Sequence, residues 1–323
     1  IGRIDHTVRS VEPSPDELGY RNRMSFTLRR LGSNRVIAGL HGLEDPLRLI
    51  EVDSQCLLPE PAVARAWVGL RRAWGRNAQR LPAGRELRLT LRGTKDGRVT
   101  LLIDGGFGAG RPDELLERVD ELVSIRQRPE TGSALRILAG SSPTVDAWAG
   151  DEVEVSGAAF LQVNRRAAAA LEDWVGERVG PADGLRITDA YCGIGVHGRR
   201  LAGRGARVTG IEMDPAAVAE ARRLAAGSMT FLEGRVEHRL AEMLPADVVI
   251  LNPPRTGLHR DVSRALAQIA PRRIVYVSCD PATLARDLGR IGTAFRVVSV
   301  RCFDLFPQTA HVETVVEAEC ATS

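Results

Sequence analysis

From Leu185 onward, short apolar runs alternate regularly with segments of helical spacing. The runs predict strands at Arg186–Ala190, Arg207–Glu212, Asp247–Leu251, Arg273–Ser278, Phe295–Phe303 and Val312–Ala318. Alternating strands and helices favour βαβ units, and therefore a mostly parallel sheet with helices on both faces. A short loop joins the last two strands, which predicts an antiparallel hairpin at one edge.

The first 150 residues predict a smaller α+β domain. Strands are expected at Arg21–Leu28, Val36–Leu40, Leu87–Leu91 and Val99–Ile103, and helices at Pro61–Trp74 and Pro112–Ser124. Composition marks Gly93–Gly97 as a turn, so the last two of these strands should form a hairpin. The basic face of Arg21–Leu28 is a candidate RNA contact, although a solvated sheet face explains it at least as well.

A strand at Val153–Ser156 and an alanine-rich helix at Arg165–Val179 begin the second pattern. We therefore predict two domains, residues 1–150 and residues 151–323. Gln162 lies at the junction of strand and helix, where simple capping of the helix is the plainer interpretation.

Composition excludes several classes of protein. Hydrophobic residues make up 44% of the chain and charged residues 26%, and no apolar run approaches the ~18 residues of a membrane span. The opening residues lack an apolar signal core, so we expect a cytoplasmic location. Because residue 1 is Ile rather than Met, we also expect the natural chain to begin further upstream. No obligatory protein partner is evident.

The five cysteines are scattered, without a Cys-x-x-Cys pair, so neither a disulfide framework nor a metal site is expected. The net charge is only +3, but the pI is about 8.8 and the basic residues are almost all arginine. Arginine grips phosphate in a bidentate manner, so this composition allows RNA binding without requiring it.

A predicted strand runs directly into a tight turn, Tyr191-Cys192-Gly193-Ile194-Gly195. Gly193 and Gly195 let a ligand approach the backbone, as nucleotide-type cofactors require. Glu212 ends the next strand, where an acidic side chain accepts hydrogen bonds from ribose hydroxyls. S-adenosylmethionine and a nicotinamide dinucleotide both fit. Gly198 lies one residue too late for the dinucleotide pattern, which together with the terminal hairpin favours S-adenosylmethionine.

Cys279 lies between a predicted buried strand and a helix that begins with Asp280 as N-cap and Pro281. A helix N-terminus lowers a thiol pKa and favours the nucleophilic thiolate. Taken alone, the segment also fits a buried, unreactive cysteine. The second notable segment, Asn252-Pro253-Pro254, is a stiff extended turn suited to holding a polar side chain between cofactor and substrate.

Four segments in this order resemble the RNA 5-methyluridine (uracil-C5) methyltransferase family. They are Tyr191-Cys192-Gly193-x-Gly195, Asn252-Pro253-Pro254-Arg255, Ser278–Asp287 and Asp304–Thr314. The match runs from about Phe160 to Val316, with a weaker echo at Gly19–Arg23. The resemblance implies the class I methyltransferase (Rossmann-like) α/β fold. It also implies transfer of a methyl group from S-adenosyl-L-methionine to carbon 5 of a uridine in tRNA or rRNA.

The resemblance also implies roles for particular residues. Cys279 would be the nucleophile and Glu313 the general base, and Gln162, Tyr191, Glu212 and Asn252 would contact the cofactor. The chemistry needs such residues, because carbon 5 of uracil becomes nucleophilic only after a thiolate adds to carbon 6. A carboxylate must then remove the proton from carbon 5. A base within a folded RNA would have to be flipped out to reach the thiol.

The chain departs from the family at several positions. Relatives usually carry Asp where this chain has Asn252 and Asn where it has Asp280, so the charges are exchanged. Val196 and Arg235 also replace the usual polar residues, which puts cofactor affinity in doubt. Many relatives have an iron–sulfur cluster and a small β-barrel RNA-binding domain, neither of which this sequence shows. Cys56 resembles one ligand of that cluster, but a single cysteine cannot hold it.

Two alternatives remain open. Asn252-Pro253-Pro254 is also the motif of amino-methyltransferases, which need no cysteine but prefer an aromatic residue where this chain has Arg255. The departures at Val196, Arg235 and Asn252 also fit an RNA-binding protein whose cofactor site has decayed.

Overall fold

The computed structural model describes residues 6–8, 10–32, 34–130, 135–141, 144–148, 151–155, 161–225 and 227–321. The chain forms two compact units. The N-terminal unit consists of Asp16–Ala158 and Val163–Arg165, and the C-terminal unit of Ile1–Pro15, Ala159–Gln162 and Arg166–Ser323. Ile1–Pro15 therefore groups with the C-terminal unit, whereas the sequence placed it in domain 1–150.

The N-terminal unit is built mainly from strands. In chain order it contains β1 (Arg23–Leu31), β2 (Arg35–His41), β3 (Leu49–Glu51), α1 (Pro61–Ala73), β4 (Glu86–Gly93), β5 (Val99–Asp104), α2 (Pro112–Arg118), β6 (Leu122–Arg128), β7 (Arg136–Gly140), β8 (Thr144–Trp148) and β9 (Asp151–Val155). A 3₁₀ turn lies at Arg76–Ala78. One sheet has the order β3-β2-β1-β4-β5-β6-β7, and β8 and β9 form a separate hairpin.

One face of the large sheet carries the apolar core of the N-terminal unit. Phe26 and Leu28 on β1 and Leu89 on β4 are buried there, because alternate residues of a strand point to the same face. Trp67 of α1 packs on this face, with its ring stacked on Phe26 at 3.8 Å between centroids.

The predicted hairpin is confirmed, since β4 and β5 pair antiparallel. The predicted helix Pro112–Ser124 is wrong in its second half. α2 ends at Arg118 and β6 begins at Leu122. The reason is non-local: the apolar run from Leu122 pairs in parallel with β5.

The C-terminal unit alternates helices and strands. In chain order it contains α3 (Arg165–Val179), β10 (Arg186–Ala190), α4 (Val196–Ala202), β11 (Arg207–Glu212), α5 (Pro215–Leu224), β12 (Met229–Glu233), α6 (Val236–Arg239), β13 (Val248–Leu251), α7 (Arg260–Gln268), β14 (Arg273–Ser278), α8 (Pro281–Ile291), β15 (Phe295–Phe303) and β16 (Glu313–Cys320). Short 3₁₀ turns lie at Leu240–Met243 and Gly292–Ala294.

The sheet of the C-terminal unit has the order β12-β11-β10-β13-β14-β16-β15. The strands from β12 to β14 are parallel, and β16 runs antiparallel to both of its neighbours. This confirms the predicted mostly parallel sheet with a terminal antiparallel hairpin. The chain order reverses between β10 and β13, and open α/β sheets bind ligands in the crevice at such a point, outside the carboxyl ends of the strands.

Apolar side chains cover both faces of this sheet. Ile187 and Val275 belong to the core on one face, and Val249 and Tyr276 to the core on the other. The segment around Glu12 is attached to this unit by a hydrogen bond. The Glu12 backbone N–H donates to the Cys302 carbonyl, near the end of β15, at 2.8 Å. Among the helices that the structure describes, none has the length and apolar character needed to cross a membrane.

Candidate active site

Cys279 lies in the turn between β14 and α8, and this turn is fixed on both sides. The Asp280 Oδ1 atom accepts hydrogen bonds from the backbone N–H groups of Ala282 at 2.9 Å and Thr283 at 2.8 Å, which confirms the predicted N-cap. The Ser278 hydroxyl accepts from the Asp280 N–H at 3.2 Å and donates to its carbonyl at 3.0 Å. The half-buried thiol is thus placed at the carboxyl end of β14.

The sheet register brings Glu313 to the same place. Ser278 of β14 pairs with Thr314 of the antiparallel strand β16. One step further along this pair, Cys279 therefore lies opposite Glu313. Only 5% of Glu313 is exposed. This burial raises the pKa of its carboxyl to about 7, although Arg255 acts to lower it. A carboxyl that titrates near neutrality is suited to proton transfer.

The pKa of the Cys279 thiol is raised, which corrects the prediction that the helix N-terminus would lower it. Burial is the largest cause and the neighbouring Glu313 carboxylate adds to it. The Arg255 guanidinium donates a hydrogen bond to the thiol and acts in the opposite direction. The helix gives little help to the thiolate because the Asp280 carboxylate already occupies its first N–H groups.

Arg255 is a site residue that sequence reasoning missed. It acts electrostatically on both Cys279 and Glu313, and it follows the stiff Pro253-Pro254 turn at the end of β13, the strand next to β14. The signal was present in the sequence. A basic residue directly after a rigid turn, at the sheet edge that carries the thiol, is placed to meet an anion there.

The glycines after β10 have different structural roles. Gly193 and Gly195 have φ angles of 56° and 81°, a region that favours glycine. A Cβ atom at Gly195 would lie 2.8 Å from the Cε atom of Met229 and 3.0 Å from the Phe231 ring, so a side chain there would have to displace both. A Cβ atom at Gly193 would meet nothing within 4 Å, so its backbone faces open space. This opening is suited to a ligand that lies against the chain.

Glu212 closes the other side of this turn. Its Oε2 accepts from the Gly193 N–H at 3.0 Å, and its Oε1 accepts from the N–H groups of Met213 at 2.7 Å and Asp214 at 2.8 Å. A carboxylate has about four acceptor positions. The three backbone bonds therefore fix the side chain and leave room for a ligand hydroxyl.

Asp189, the last residue but one of β10, is a second acid beside the turn. It is completely buried, and its Oδ2 accepts from the Gly198 N–H at 2.9 Å. Its Oδ1 has no hydrogen-bond partner among the described residues. Burial raises its pKa to about 7, and the charge of Glu212 adds to this effect. An unpartnered buried acceptor at this position fits a site that binds a polar ligand.

The remaining predicted cofactor ligands lie in the C-terminal unit. Tyr191 has a φ angle of 62°. Burial raises the pKa of its hydroxyl, and this hydroxyl bonds to the His259 backbone. Asn252 continues β13, with its N–H donating to the Ala190 carbonyl at 3.3 Å. Gln162 is half-buried and belongs to the short segment Ala159–Gln162 of this unit.

Most of the candidate residues therefore gather at one edge of the sheet. Gly193, Glu212, Asn252 and Cys279 follow or end β10, β11, β13 and β14, whose carboxyl ends point the same way. The open backbone at Gly193 and the spare acceptors nearby fit the ribose and amino groups of S-adenosylmethionine. Among the described residues, no group of His, Cys, Asp and Glu is placed to hold a metal ion.

Two family models match the C-terminal half of the chain. The model of tRNA (uracil-5-)-methyltransferases matches residues 234–319, and a general methyltransferase-domain model matches residues 187–272. An uncharacterized RNA methyltransferase of Thermosynechococcus vestitus is 32% identical over 98% of this chain and 76% of its own. This chain belongs to the RNA uracil-C5 methyltransferase family. A relative from Gloeobacter violaceus is also 32% identical, over 98% of this chain and 74% of its own.

A solved structure supports the same membership. The tRNA (uracil-54, C5)-methyltransferase of Pyrococcus abyssi, in complex with S-adenosyl-L-homocysteine, is 25% identical, with a TM-score of 0.77 over 95% of this chain and 78% of its own. The predicted family, fold class and cofactor are thereby confirmed, and the protein is an S-adenosylmethionine-dependent RNA methyltransferase. The roles of single residues stay predictions.

Proposed function

We propose that this protein transfers a methyl group from S-adenosylmethionine to carbon 5 of a uridine in tRNA or rRNA, through a covalent bond between Cys279 and carbon 6. The observation that carries the proposal is the group formed by Cys279, Glu313 and Arg255. A thiol and a carboxyl, both with raised pKa, share one guanidinium at the edge of the sheet that also carries the glycine turn.

The cofactor supplies an electrophilic methyl group bound to a positively charged sulfur. Gly193 leaves the backbone open to it, Glu212 has an acceptor position for a ribose hydroxyl, and Asp189 has an unpartnered oxygen. Tyr191, Asn252 and Gln162 complete the proposed cofactor-binding set. Because Asn252 is neutral where relatives usually carry Asp, its contribution is a hydrogen bond without charge.

The reaction begins with Cys279, which Arg255 favours in its thiolate form. The sulfur attacks carbon 6 of uracil, a bond forms between them, and the electron pair of the 5,6 double bond moves to carbon 5 and the neighbouring carbonyl. Carbon 5 then takes the methyl group that the cofactor would supply, and the bonding pair stays with the sulfur of the cofactor, not with that of Cys279. The Glu313 carboxylate removes the proton from carbon 5. The released pair restores the double bond and expels Cys279 as thiolate.

The proposed RNA contact is the arginine-bearing part of the large sheet of the N-terminal unit; Thr90 and Arg126, in the middle of the same face, are buried. Arg23 on β1, Arg88 on β4 and Arg128 on β6 lie on the face opposite the apolar core, as the strand register requires. Arg128 pairs with Asp104 at 3.1 Å. Burial and the charge of Arg88 lower the pKa of Arg23. Asp104 offsets part of this positive charge, and the remaining excess of arginine favours a polyanionic partner such as the RNA backbone. A cytoplasmic location stays a prediction.

RNA containing 5-fluorouridine tests the reaction directly. Fluorine at carbon 5 replaces the proton that Glu313 must remove, so a covalent protein–RNA adduct should accumulate on tRNA or ribosomal RNA fragments in the presence of the cofactor. Mass spectrometry should place the bond on Cys279. Binding of the cofactor without an adduct on any RNA would contradict the mechanism.

Variants separate the alternatives. Cys279→Ala should abolish both methyl transfer and the adduct, whereas Cys302→Ala, which removes another half-buried thiol of the C-terminal unit, should retain both. An amino-methyltransferase that uses Asn252 would stay active in Cys279→Ala.

A further inference from the structure

Asp287 on α8 is a completely buried acid outside the catalytic group. Its Oδ2 atom accepts hydrogen bonds from the Leu258 backbone N–H at 2.7 Å and the Tyr276 hydroxyl at 2.9 Å. Its Oδ1 atom accepts from Arg286 Nε at 2.9 Å and from Arg290 at 3.2 Å. Four residues from three parts of the fold therefore donate to one carboxylate, Arg286 through both Nε and Nη2.

This network fixes the loop between β13 and α7. Arg286 also donates to the Thr256 carbonyl at 2.7 Å, and Leu258 is bound to Asp287 directly. Between them, Gly257 has a φ angle of 74°, and a Cβ atom there would overlap Asp287 Oδ2 and the Arg286 guanidinium. Three consecutive residues of the loop are thus clamped to α8.

The clamped segment begins at the residue after Arg255. The Arg255 side chain is exposed, so the position of its backbone decides whether its guanidinium reaches the Cys279 thiol and the Glu313 carboxylate. The rigid Pro253-Pro254 turn holds the backbone on the other side. The helix that carries the clamp is the one that begins after Cys279, so nucleophile and clamp belong to one rigid element.

We propose that Asp287 is a positioning residue that holds Arg255 within electrostatic reach of Cys279 and Glu313. This inference rests on the proposed function for the roles of those two residues, but its test needs no RNA. A buried carboxylate is costly unless it is fully paired. The loop N–H, the Tyr276 hydroxyl and the two arginines of α8 meet that need and join the loop to the helix.

The pH dependence of alkylation at Cys279 provides the test. The groups that face the thiol are Glu313, which raises its pKa, and Arg255, which lowers it. If Asp287→Asn releases Arg255, the thiolate should become less populated. Iodoacetamide should then modify Cys279 more slowly, on the order of tenfold near neutral pH, with the midpoint moved to higher pH. Because all five cysteines are free thiols, the Cys279 peptide is followed by mass spectrometry.

Comparison with Arg255→Met makes the test specific. Loss of the guanidinium should produce the same change as Asp287→Asn, and the double variant should show no further change, because both act through one contact. The exposed Asp173 of α3, which pairs with Arg200, provides a matched control. Asp173→Asn should leave the alkylation profile unchanged.

A folded Asp287→Asn protein whose Cys279 is alkylated with the pH dependence of the wild type would overturn the proposal. The proposal would also fail if the effects of Asp287→Asn and Arg255→Met on alkylation were fully additive in the double variant. If Asp287→Asn does not fold, Tyr276→Phe is measured in the same way. It removes a single donor from Asp287 and should move the profile in the same direction by a smaller amount. A wild-type protein that forms no adduct with 5-fluorouridine RNA would refute the proposed function while leaving the alkylation result valid.

Discussion

Replacing Glu313 with Gln should make the protein more stable at alkaline pH. The folded protein holds the Glu313 proton up to about pH 7, against an ordinary value of 4.5. Between these two values the folded state binds more protons than the unfolded state, so the free energy of unfolding of the wild type falls as pH rises. Gln does not titrate, and the variant therefore escapes this loss.

A rise of the Glu313 pKa from 4.5 to about 7 lowers the free energy of unfolding of the wild type by about 3 kcal/mol. The whole loss applies above about pH 7, and none of it applies below pH 4.5. For a unit of this size, 1 kcal/mol moves Tm by about 2–4 °C, so the variant should gain on the wild type by about 6–12 °C across this range. Because a protein of two units need not unfold in one step, the relevant quantity is the Tm of the calorimetric transition that the substitution moves.

Scanning calorimetry from about pH 5 to about pH 8.5 provides the measurement, because this range covers most of the interval in which Glu313 is protonated in the folded state but not in the unfolded state. Glu233→Gln is the matched control, because Glu233 is exposed at the end of β12, and its difference from the wild type should stay nearly flat. A Glu313→Gln difference that is constant with pH, or that turns against the variant as pH rises, would refute the burial argument. In that case the proposed role of this carboxyl as a base near neutrality would lose its physical basis.

Three further outcomes follow from the site. With ordinary uridine RNA and cofactor, Glu313→Gln should methylate carbon 5 but fail to release the product, so denaturing gels should show a methylated covalent adduct; normal turnover would contradict its role as base. The double variant Arg23→Ala/Arg88→Ala should weaken RNA binding and lower the slope of the log binding constant against log salt concentration by about two. Arg65→Ala, on α1 and paired with Glu121, should change neither quantity. Equal effects of the two variants would argue against the sheet face. Glu212→Ala should lower cofactor affinity by at least about tenfold in calorimetry, since it removes a ribose acceptor and the support of the glycine turn; unchanged affinity would remove this residue from the site.

Local pattern predicts the C-terminal sheet well because its strands are buried on both faces. β10, β11 and β14, which lie inside the sheet, begin and end at the predicted residues, since continuous apolar runs bounded by turns mark such strands. The edge strand β15 was also predicted at its observed bounds, although only its last residue, Phe303, is buried. β12 (Met229–Glu233) was missed because it lies at the sheet edge and only two of its residues are buried. The helix predicted through Ser124 failed for a related reason, because pairing with a distant strand overrides local helical spacing.

The electrostatics of the site depend on contacts that the sequence does not reveal. The helix N-terminus before α8 predicts an acidic thiol, yet burial and Glu313 raise the thiol pKa. Burial is the larger cause, and the register between β14 and β16 adds to it because it sets Glu313 beside Cys279. Arg255 was visible in its motif, but its contact with the thiol follows from the fold of the loop. Residue types were therefore predictable, and their mutual effects were not.

The shared guanidinium suggests an order for the charges in the reaction. Arg255 favours the ionised forms of both Cys279 and Glu313, whereas burial opposes the ionisation of each. One cation compensates one negative charge better than two that lie close together. When the thiolate adds to carbon 6, its charge moves into the uracil ring, and Glu313 can then ionise at a smaller cost. The base is thus favoured in its active form only after the nucleophile has reacted, which is the order in which the proposed mechanism needs them.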